Sequence, residues 1–360
     1  MQPMHLTGLS QAELSDFVAS LGEPEYRARQ LFSAIQARRI QSFDAMTDLP
    51  KELRATLAER ASLSTFKLES RYVSTDGTRR YLFKTLDDFP VETVFIPAER
   101  RDTICFSSQS GCPLQCTFCL TAQLGLLRNL TAGEIVEQII FVLNDAYGAG
   151  VQTPRGTNLV GMGAGEPFLN FENLMNAIRI MNERSGLYIV ANRITVSTAG
   201  IVPRIRELAT IADRPHLAIS LAAPNDELRD QLMPINKKWP IDELLSACRE
   251  FEQSLKPAER FTFEYVMLRG VNDSDSHARQ LANLINRYRL RAKVNLIPHN
   301  PAEPLPYQPS STERVESFRE ILESKGVHCF IRRPRGRDIL AACGQLAARS
   351  EIGLPAGSAI

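Results

Sequence analysis

The sequence has no long hydrophobic run and almost no net charge. None of its apolar stretches approaches the roughly 20 residues that a membrane-spanning helix needs, and the opening "MQPMHLTGLSQAELSDF" has neither the basic flank nor the apolar segment of a signal peptide. The 42 basic and 41 acidic residues give a charge of +1, so any basic surface for nucleic acid must be local. We therefore expect a cytoplasmic protein without a membrane partner. No oligomerisation signal is evident, which favours a monomer.

Cysteine is also scarce, with seven residues in 360. Cytoplasmic thiols stay reduced, so these cysteines favour metal or redox chemistry over structural disulfides. Three of them, Cys112, Cys116 and Cys119, have a C-x3-C-x2-C spacing in "GCPLQCTFCLTAQLG". Residues 107–130 supply no fourth cysteine and no histidine, which a structural zinc site normally needs. An iron–sulfur cluster takes one protein ligand per iron, so three cysteines leave one iron open to a small molecule that chelates through an amine and a carboxylate.

The N-terminal part has a helical pattern. "LSQAELSDFVASLG" begins with a potential cap at Ser10 and has Glu13 three residues later, and two further amphipathic stretches follow. Around Asp76-Gly77 the pattern alternates as in a β-hairpin and continues into another strand. This change of period predicts a small all-helical domain over residues 1–70.

The remaining chain alternates short apolar strands with amphipathic helices, as in repeated β-α units around a parallel sheet. Right-handed crossovers would curl this series into a complete or partial barrel, with ligand sites in the loops after the strands. We therefore predict an α/β core over residues 71–348 and a loose C-terminal tail over residues 349–360. The predicted strands are "TICFSS", "NLVGMG", "RITVST", "HLAISL", "FTFEYVML", "AKVNLIP" and "CFIRR".

Two motifs fall where such a fold puts its ligands. The cysteine triplet follows "TICFSS" and precedes a helix that begins with the capping pattern Thr131 and Glu134. "GMGAGEP" ends the next strand, and it is either a ligand-binding turn or an ordinary glycine-rich turn in which Glu166 caps a helix. The triplet resembles that of the radical S-adenosylmethionine (SAM) superfamily. In that superfamily the methionine part of SAM fills the open iron position, and a GGEP-type turn meets its ammonium group.

A closer resemblance runs from about Tyr26 to Leu346. Taken together, the motifs are similar to those of the RlmN/Cfr family of radical SAM RNA methyltransferases, which implies a partial (β/α) barrel of the radical SAM type with an N-terminal RNA-contacting domain. The matching motifs are "YRARQLFSAI", "ETVFIP", "ICFSSQSGCPLQCTFCLTAQLGLLRNL", "GEPFLN", "STAGIVP", "SLAAPNDELRDQLMPINKKWPI", "EYVMLRGVND", "NLIPHNP" and "AACGQL".

The resemblance implies methylation of an adenosine ring carbon in 23S-type ribosomal RNA, and also in tRNA. The methylated carbon is C2 in RlmN and C8 in Cfr, and methylation at C8 confers ribosomal antibiotic resistance. The segment "SLAAPNDELRDQLMPINKKWPI" favours the RlmN type. Such a carbon is not nucleophilic, so the methyl group cannot be transferred by direct displacement. The implied cofactors are a 4Fe-4S cluster held by the three cysteines and two SAM molecules per turnover. A low-potential electron donor such as flavodoxin or ferredoxin is the implied protein partner.

The resemblance also assigns roles to single residues. Cys343 carries the methyl group, Cys105 resolves a covalent protein–RNA intermediate through a disulfide, and Glu92 handles the ring proton. Without the resemblance, the two cysteines would be interpreted as inert buried residues and Glu92 as a solvent-facing strand residue. Two departures stand out, because many family members have histidine at position 222 and "GMGEP" in place of "GAGEP". The implied SAM-binding residues are Gly165, Glu166, Ser197, Ser220, Leu221, Ala222 and Asn300.

Local basic clusters favour phosphate binding, although such runs are usually solvated surface. They are Arg332, Arg333, Arg335 and Arg337 near Cys343, Lys237 and Lys238 in "INKKW", and Arg27, Arg29, Arg38 and Arg39 on the N-terminal helices. Two other interpretations remain. A radical SAM enzyme with a non-RNA substrate would not need Cys343, and a zinc-stabilised RNA-binding module would hold no iron.

Overall fold

The computed structural model describes residues 3–346, so the predicted tail over residues 349–360 lies outside the described residues. The described chain forms fourteen strands and eleven α-helices. The strands are β1 Met4–His5, β2 Ala61–Ser62, β3 Phe66–Val73, β4 Arg79–Thr85, β5 Pro90–Ile96, β6 Asp102–Cys105, β7 Gln109–Gly111, β8 Leu126–Asn129, β9 Thr157–Gly161, β10 Ile194–Thr198, β11 His216–Ser220, β12 Phe261–Met267, β13 Ala292–Pro298 and β14 Cys329–Ile331. The helices are α1 Gln11–Ser20, α2 Tyr26–Phe32, α3 Lys51–Arg60, α4 Leu120–Gln123, α5 Ala132–Tyr147, α6 Phe171–Asn182, α7 Val202–Ala209, α8 Asp226–Leu232, α9 Ile241–Gln253, α10 Asp275–Arg287 and α11 Thr312–Ser324.

One large sheet organises the core. Its ten strands have the order β14-β13-β12-β11-β10-β9-β6-β5-β4-β3. Pairing is parallel from β14 to β6, and β5, β4 and β3 then extend the sheet as an antiparallel edge. All seven predicted parallel strands are present, and the predicted hairpin and its following strand are β3, β4 and β5. Because the first and last strands do not pair, the predicted partial barrel is confirmed as an open sheet.

The helices cover the parallel strands because each helix has one apolar face that packs against the sheet. In α5, the residues Ile135, Ile139, Val142 and Leu143 are buried in the main core, as expected from their helical spacing. The predicted capping box at the start of α5 is also present, since Thr131 accepts a hydrogen bond from the Glu134 backbone and Glu134 accepts one in return. The carboxyl ends of the parallel strands stay open to the loops that carry the motifs.

The N-terminal unit is helical apart from the two-residue parallel pair of β1 and β2. The predicted capping box of Ser10 and Glu13 begins α1. The helices end at Arg60 and β3 begins at Phe66, so the predicted boundary at residue 70 falls inside a strand of the large sheet. The division of the chain into domains stays a prediction.

The N-terminal unit packs closely against α5. A Cβ atom on Gly8 would lie 2.6 Å from the Gly133 Cα atom, and one on Gly133 would lie 2.6 Å from His5 Nδ1, so the close packing requires glycine at both positions. Arg39 is buried and donates hydrogen bonds to Asn144 Oδ1 at 2.9 Å and to the Val151 carbonyl at 2.7 Å. The sequence predicts that Arg39 faces RNA, but its guanidinium group joins the N-terminal unit to the end of α5.

Within residues 3–346 no helix is both long enough and apolar enough to cross a membrane.

Candidate functional site

The three-cysteine segment is a loop between β7 and α4, and hydrogen bonds hold it at several points. The Cys112 backbone donates to the Gly125 carbonyl at 2.7 Å, and the Thr117 backbone donates to the Leu232 carbonyl at 3.0 Å. Gly111 has a φ of +73°, and a Cβ atom there would lie 1.9 Å from the Gly125 oxygen. The loop can therefore close on Gly125 only with glycine at position 111.

Cys112, Cys116 and Cys119 line one cavity, as the sequence predicts. The cavity contains about 1050 Å³ of atom-free space, including solvent at its mouth. Burial raises the pKa of Cys112 to about 12 and raises that of Cys116 well above its usual value. Buried thiolates therefore need a cation, which fits ligation of iron.

In residues 3–346 no group of three or more His, Cys, Asp or Glu side chains is placed to hold a single metal ion. This observation concerns one ion and not a cluster. In a zinc site every thiolate sulfur lies about 2.3 Å from the one zinc ion. In an iron–sulfur cluster each thiolate binds a different iron, so the sulfurs can lie further apart. The donor set of three cysteines around an open space fits the cluster that the spacing implies.

The turn after β9 forms the next wall of the cavity. A Cβ atom on Gly165 would lie 2.6 Å from Gln109 Cβ, and Gln109 Oε1 accepts a hydrogen bond of 2.8 Å from the Glu166 backbone. Glu166 caps a short 3₁₀ helix by accepting from the Phe168 backbone at 3.0 Å, and it also accepts from the Ala199 backbone at 2.7 Å. Burial raises the pKa of Glu166 to about 7. The capping role left open in the sequence is therefore real, and the same turn also lines the cavity.

The predicted SAM-binding residues at the carboxyl ends of β10 and β11 either line the cavity or are buried behind it. Ser197 and Ser220 line the cavity, with their hydroxyl oxygens 3.3 Å apart. Ala222 also lines it and has a φ of +59°, a left-handed conformation that is uncommon for alanine. Leu221 is fully buried, and its backbone donates to the Glu264 carbonyl at 3.0 Å. Only the backbone of Leu221 is placed to shape the site.

A second, smaller cavity lies beside the first. It is lined by Cys105 and by Asn300, and it shares Cys343 and Arg332 with the cysteine-loop cavity. Asn300 Nδ2 donates to the Cys343 carbonyl at 3.2 Å, and Asn300 Oδ1 accepts from Arg337 at 2.9 Å. Asn300 thus holds the Cys343 segment, and its predicted contact with SAM stays a prediction.

The Cys343 segment is also tied directly to the cysteine loop. The Leu120 backbone donates to the Gly344 carbonyl at 2.9 Å, and the Thr121 hydroxyl donates to the Leu346 carbonyl. Cys343 is exposed because its side chain lines the open cavities, although the surrounding protein atoms raise the pKa of its thiol by desolvation. Both Cys105 and Cys343 are free thiols in the structure.

Glu92 does not line either cavity. It is buried on β5, where it forms an ion pair of 2.6 Å with Arg80. Arg80 also donates to the Ile339 carbonyl at 2.9 Å, on the segment that leads to Cys343. The solvent-facing interpretation of Glu92 is therefore wrong, and its proton-handling role stays a prediction.

Three buried polar residues at the site, Arg229, Glu264 and His299, are not predicted from the sequence. Arg229 donates to the Ala199 carbonyl at 2.6 Å, to the Leu221 carbonyl at 3.0 Å and to Asn236 Oδ1 at 2.8 Å, so it fastens the loops after β10 and β11 together. Glu264 and His299 line the first cavity, and each has a buried side-chain atom without a hydrogen-bond partner. All three lie in quoted motifs, "NDELRDQL", "EYVML" and "NLIPHNP", but a single sequence does not reveal which strand residues face inward.

The basic clusters lie on different parts of the surface. Arg332, Arg333 and Arg335 line the second cavity, although Arg335 is also paired with Asp76 at 2.7 Å. Lys237 and Lys238 are exposed and line a separate surface depression. The arginines, and not the lysines, are therefore placed at the cavity that contains both Cys105 and Cys343.

Two family models match the chain. The model of the radical SAM superfamily matches residues 106–282, and the model described as the ribosomal RNA large subunit methyltransferase N-terminal domain matches residues 4–63.

Relatives and a solved structure match over nearly the whole length. A probable dual-specificity RNA methyltransferase RlmN from Koribacter versatilis is 50% identical, with 91% of this chain and 96% of the relative covered. A dual-specificity RNA methyltransferase RlmN from Novosphingobium aromaticivorans is 42% identical, with 96% of this chain and 87% of the relative covered. The crystal structure of a radical SAM methyltransferase from Sphaerobacter thermophilus has a TM-score of 0.91 at 45% identity, with 95% of this chain and 99% of the solved chain covered.

Proposed function

Because the chain belongs to the RlmN family of radical SAM RNA methyltransferases, we propose that it methylates C2 of an adenosine in large-subunit ribosomal RNA. One observation carries the proposal. The cavity lined by Cys112, Cys116 and Cys119 shares Cys343 with a neighbouring cavity that Cys105 also lines. A radical SAM enzyme acting on a small molecule would need the first cavity alone, and a zinc module would need neither, so family membership and this arrangement set both alternatives aside.

The cofactors of the enzyme are a 4Fe-4S cluster and two SAM molecules per turnover. Cys112, Cys116 and Cys119 would hold the cluster, which supplies the reductive cleavage of SAM that makes an unreactive carbon accessible to radical chemistry. The turn at Gly165 and Glu166 would bind the SAM ammonium group. Ser197, Ser220 and the backbone at Leu221 and Ala222 would bind the rest of SAM.

The chain's own thiols perform the methyl transfer. Cys343 accepts the first methyl group on sulfur and presents it where the two cavities meet. Loss of one hydrogen atom from this methyl group leaves a methylene carbon that bonds to the adenine ring. The Cys105 thiolate then attacks the Cys343 sulfur and a disulfide forms. The electron pair of the broken sulfur–carbon bond stays on the methylene carbon, which takes up a proton and becomes the methyl group of the product. Asn300 holds the Cys343 backbone during these steps, and Glu92 handles the ring proton.

The substrate is RNA, and the arginines of the second cavity are placed to bind its phosphates. Arg332 and Arg333 lie beside Cys343, and arginine forks suit the phosphates of folded RNA. The target adenosine must leave its stack to reach Cys343. Relatives are named dual-specificity RNA methyltransferases, which supports a second RNA substrate, and we propose tRNA as that substrate. A low-potential donor such as flavodoxin or ferredoxin would supply the electron, and the enzyme would act as a cytoplasmic monomer.

Mass spectrometry of adenosines tests this function. Ribosomal RNA and tRNA from cells with the gene should contain 2-methyladenosine, and RNA from cells without it should lack that nucleoside at the same positions. A gene-dependent 8-methyladenosine would instead show Cfr-type methylation, and no gene-dependent methyladenosine would overturn the proposal. Cells that express Cys343→Ala are the matched control, because this protein retains the cysteine loop but has no sulfur to carry the methyl group.

A further inference from the structure

The surface depression beside Lys237 and Lys238 lies over the cysteine loop. Two segments line it, which are residues 113–115 of the loop itself and residues 234–238 after α8. Leu114 lines both this depression and the cysteine-loop cavity. A single buried side chain therefore separates the space that would hold the cluster from the outer surface. We call this feature the lysine depression.

Hydrogen bonds fix the two segments of the lysine depression to each other and to the core. The Thr117 backbone donates to the Leu232 carbonyl at 3.0 Å, which ties the cysteine loop to the end of α8. Asn236 is buried, donates to Asp230 Oδ1 at 2.7 Å and accepts from Arg229 at 2.8 Å. The turn that carries both lysines is therefore anchored beside the loop.

The lysine depression is positively charged and has no internal counterion. Among its lining residues only Lys237 and Lys238 are charged, and both side chains are exposed. Within residues 3–346 neither lysine is paired with a carboxylate. The Lys238 ammonium nitrogen lies 4.6 Å from the centre of the Trp239 ring, which leaves its charge unneutralised. Lysine ammonium groups are mobile point charges that suit carboxylates on a partner surface.

We propose that the lysine depression docks an acidic protein that delivers electrons to the cluster, and that Lys237 and Lys238 bind its surface carboxylates. The inference rests on the proposed function, because reductive cleavage of SAM needs an electron from outside the chain. One electron leaves the reduced donor, which is thereby oxidised, and reaches the SAM sulfonium group through the cluster. The bond between sulfur and the 5′ carbon then breaks, which leaves methionine and a carbon radical.

The position of the lysine depression favours a donor protein over RNA. Arg332 and Arg333 lie at the cavity that contains Cys105 and Cys343, where the target adenosine must arrive, whereas the lysines line neither cavity. SAM and RNA would fill both cavities during turnover, so a donor needs another face of the cysteine loop. The depression also has an apolar floor with a basic rim, and it suits the small interfaces that electron-transfer partners form.

Equilibrium binding of an acidic flavodoxin to the anaerobic cluster-loaded enzyme tests the docking. The double variant Lys237→Glu/Lys238→Glu should bind flavodoxin about tenfold more weakly, because like charges then face each other. The wild-type affinity should fall as salt concentration rises, and that of the variant should depend on salt much less. Lys256→Glu/Lys325→Glu is the matched control, since it makes the same charge change at two exposed lysines outside the depression. It should retain the wild-type affinity.

The choice of reductant separates docking from the other steps. With reduced flavodoxin the double variant should cleave SAM about tenfold more slowly than the wild-type enzyme. With dithionite, a small reductant that needs no docking surface, the two proteins should cleave SAM at equal rates, and both should bind ribosomal RNA equally.

Three results would overturn the docking role. They are unchanged flavodoxin affinity in the double variant, weaker binding of ribosomal RNA in its place, and slower cleavage with dithionite as well as with flavodoxin. Wild-type enzyme that cleaves SAM with dithionite but binds no flavodoxin would also overturn it. If wild-type enzyme cleaves no SAM with either reductant, the proposed function itself fails.

Discussion

Cys105 and Cys343 face one cavity, although Cys105 ends β6 and Cys343 lies near the end of the described chain. Burial, and secondarily the charge of Cys343, raises the pKa of Cys105 to about 12. The two thiols therefore share one cavity but differ in exposure, which fits separate roles.

Because Cys105 and Cys343 have separate roles, we expect their alanine variants to stop at different steps of the reaction. Cys343→Ala has no sulfur to carry a methyl group, so no covalent RNA adduct can form. Cys105→Ala should accept the methyl group on Cys343, bond to RNA and then stall, because no thiolate is available to attack the Cys343 sulfur. On a denaturing gel of anaerobically expressed protein, Cys105→Ala should show a slower band that ribonuclease removes. An identical single band for both variants would contradict these roles.

The high pKa of Cys105 predicts a pH dependence of adduct release. Only the thiolate attacks, and below a pKa of about 12 its fraction rises about tenfold for each pH unit. In single-turnover experiments on wild-type enzyme, release of methylated RNA should therefore accelerate steeply between about pH 7 and pH 9. Cys105→Ala should release no RNA at any pH. A rate that does not change with pH in the wild-type enzyme would show that thiolate formation does not control release.

The cysteine loop predicts the metal content. Anaerobically purified protein should be brown and contain about four irons per chain, and Cys112→Ala, Cys116→Ala and Cys119→Ala should each lose most of the iron. Cys329→Ala is the control, because Cys329 is buried on β14 and lines neither of the two neighbouring cavities. Stoichiometric zinc in place of iron after anaerobic reconstitution would refute the cluster.

The glycine turn predicts a steric defect at one position. Gly165 and Gly270 both have positive φ, +106° and +71°, so alanine is strained at each. Only Gly165→Ala also forces a Cβ atom to 2.6 Å from Gln109 Cβ, whereas Gly270 has open space. Overpacking should cost Gly165→Ala about 1–3 kcal/mol more and lower its affinity for S-adenosylhomocysteine. Chemical unfolding and equilibrium binding would detect this, and equal losses in the two variants would be unexpected.

The N-terminal helices predict a contribution to RNA binding. Arg29 is exposed on α2, unlike the buried Arg39, so Arg29→Glu should weaken RNA binding several-fold and reduce its salt dependence by about one counterion. Cleavage of SAM in the absence of RNA should be unchanged. Arg279→Glu, on the exposed face of α10, is the control for a general charge effect. Equal weakening by both variants would count against a specific role of the N-terminal unit.

Local sequence determined much of the fold. Strand periods, capping pairs such as Thr131 and Glu134, and the turn at Asp76-Gly77 act over a few residues, so each could be predicted from the chain alone. The three-cysteine spacing is also local, because one loop supplies all three thiols. The pairing of β3 with β4 in the large sheet is not local in this sense, and the division of the chain into domains stays a prediction.

Other features were decided only by the tertiary structure. Ser220 lies opposite Glu264 because parallel strand pairing brings distant segments together. Cys343 lines the same cavity as Cys105 because hydrogen bonds from Asn300 and Leu120 hold its segment there. Arg39 and Arg29 look alike in the sequence, yet packing against α5 buries one and leaves the other in solvent. Glu264 looked like any strand residue because its unpaired oxygen exists only when the neighbouring strands enclose it. Composition and spacing thus determined which chemistry the chain can perform, whereas the long-range register of the sheet decided which side chains surround it.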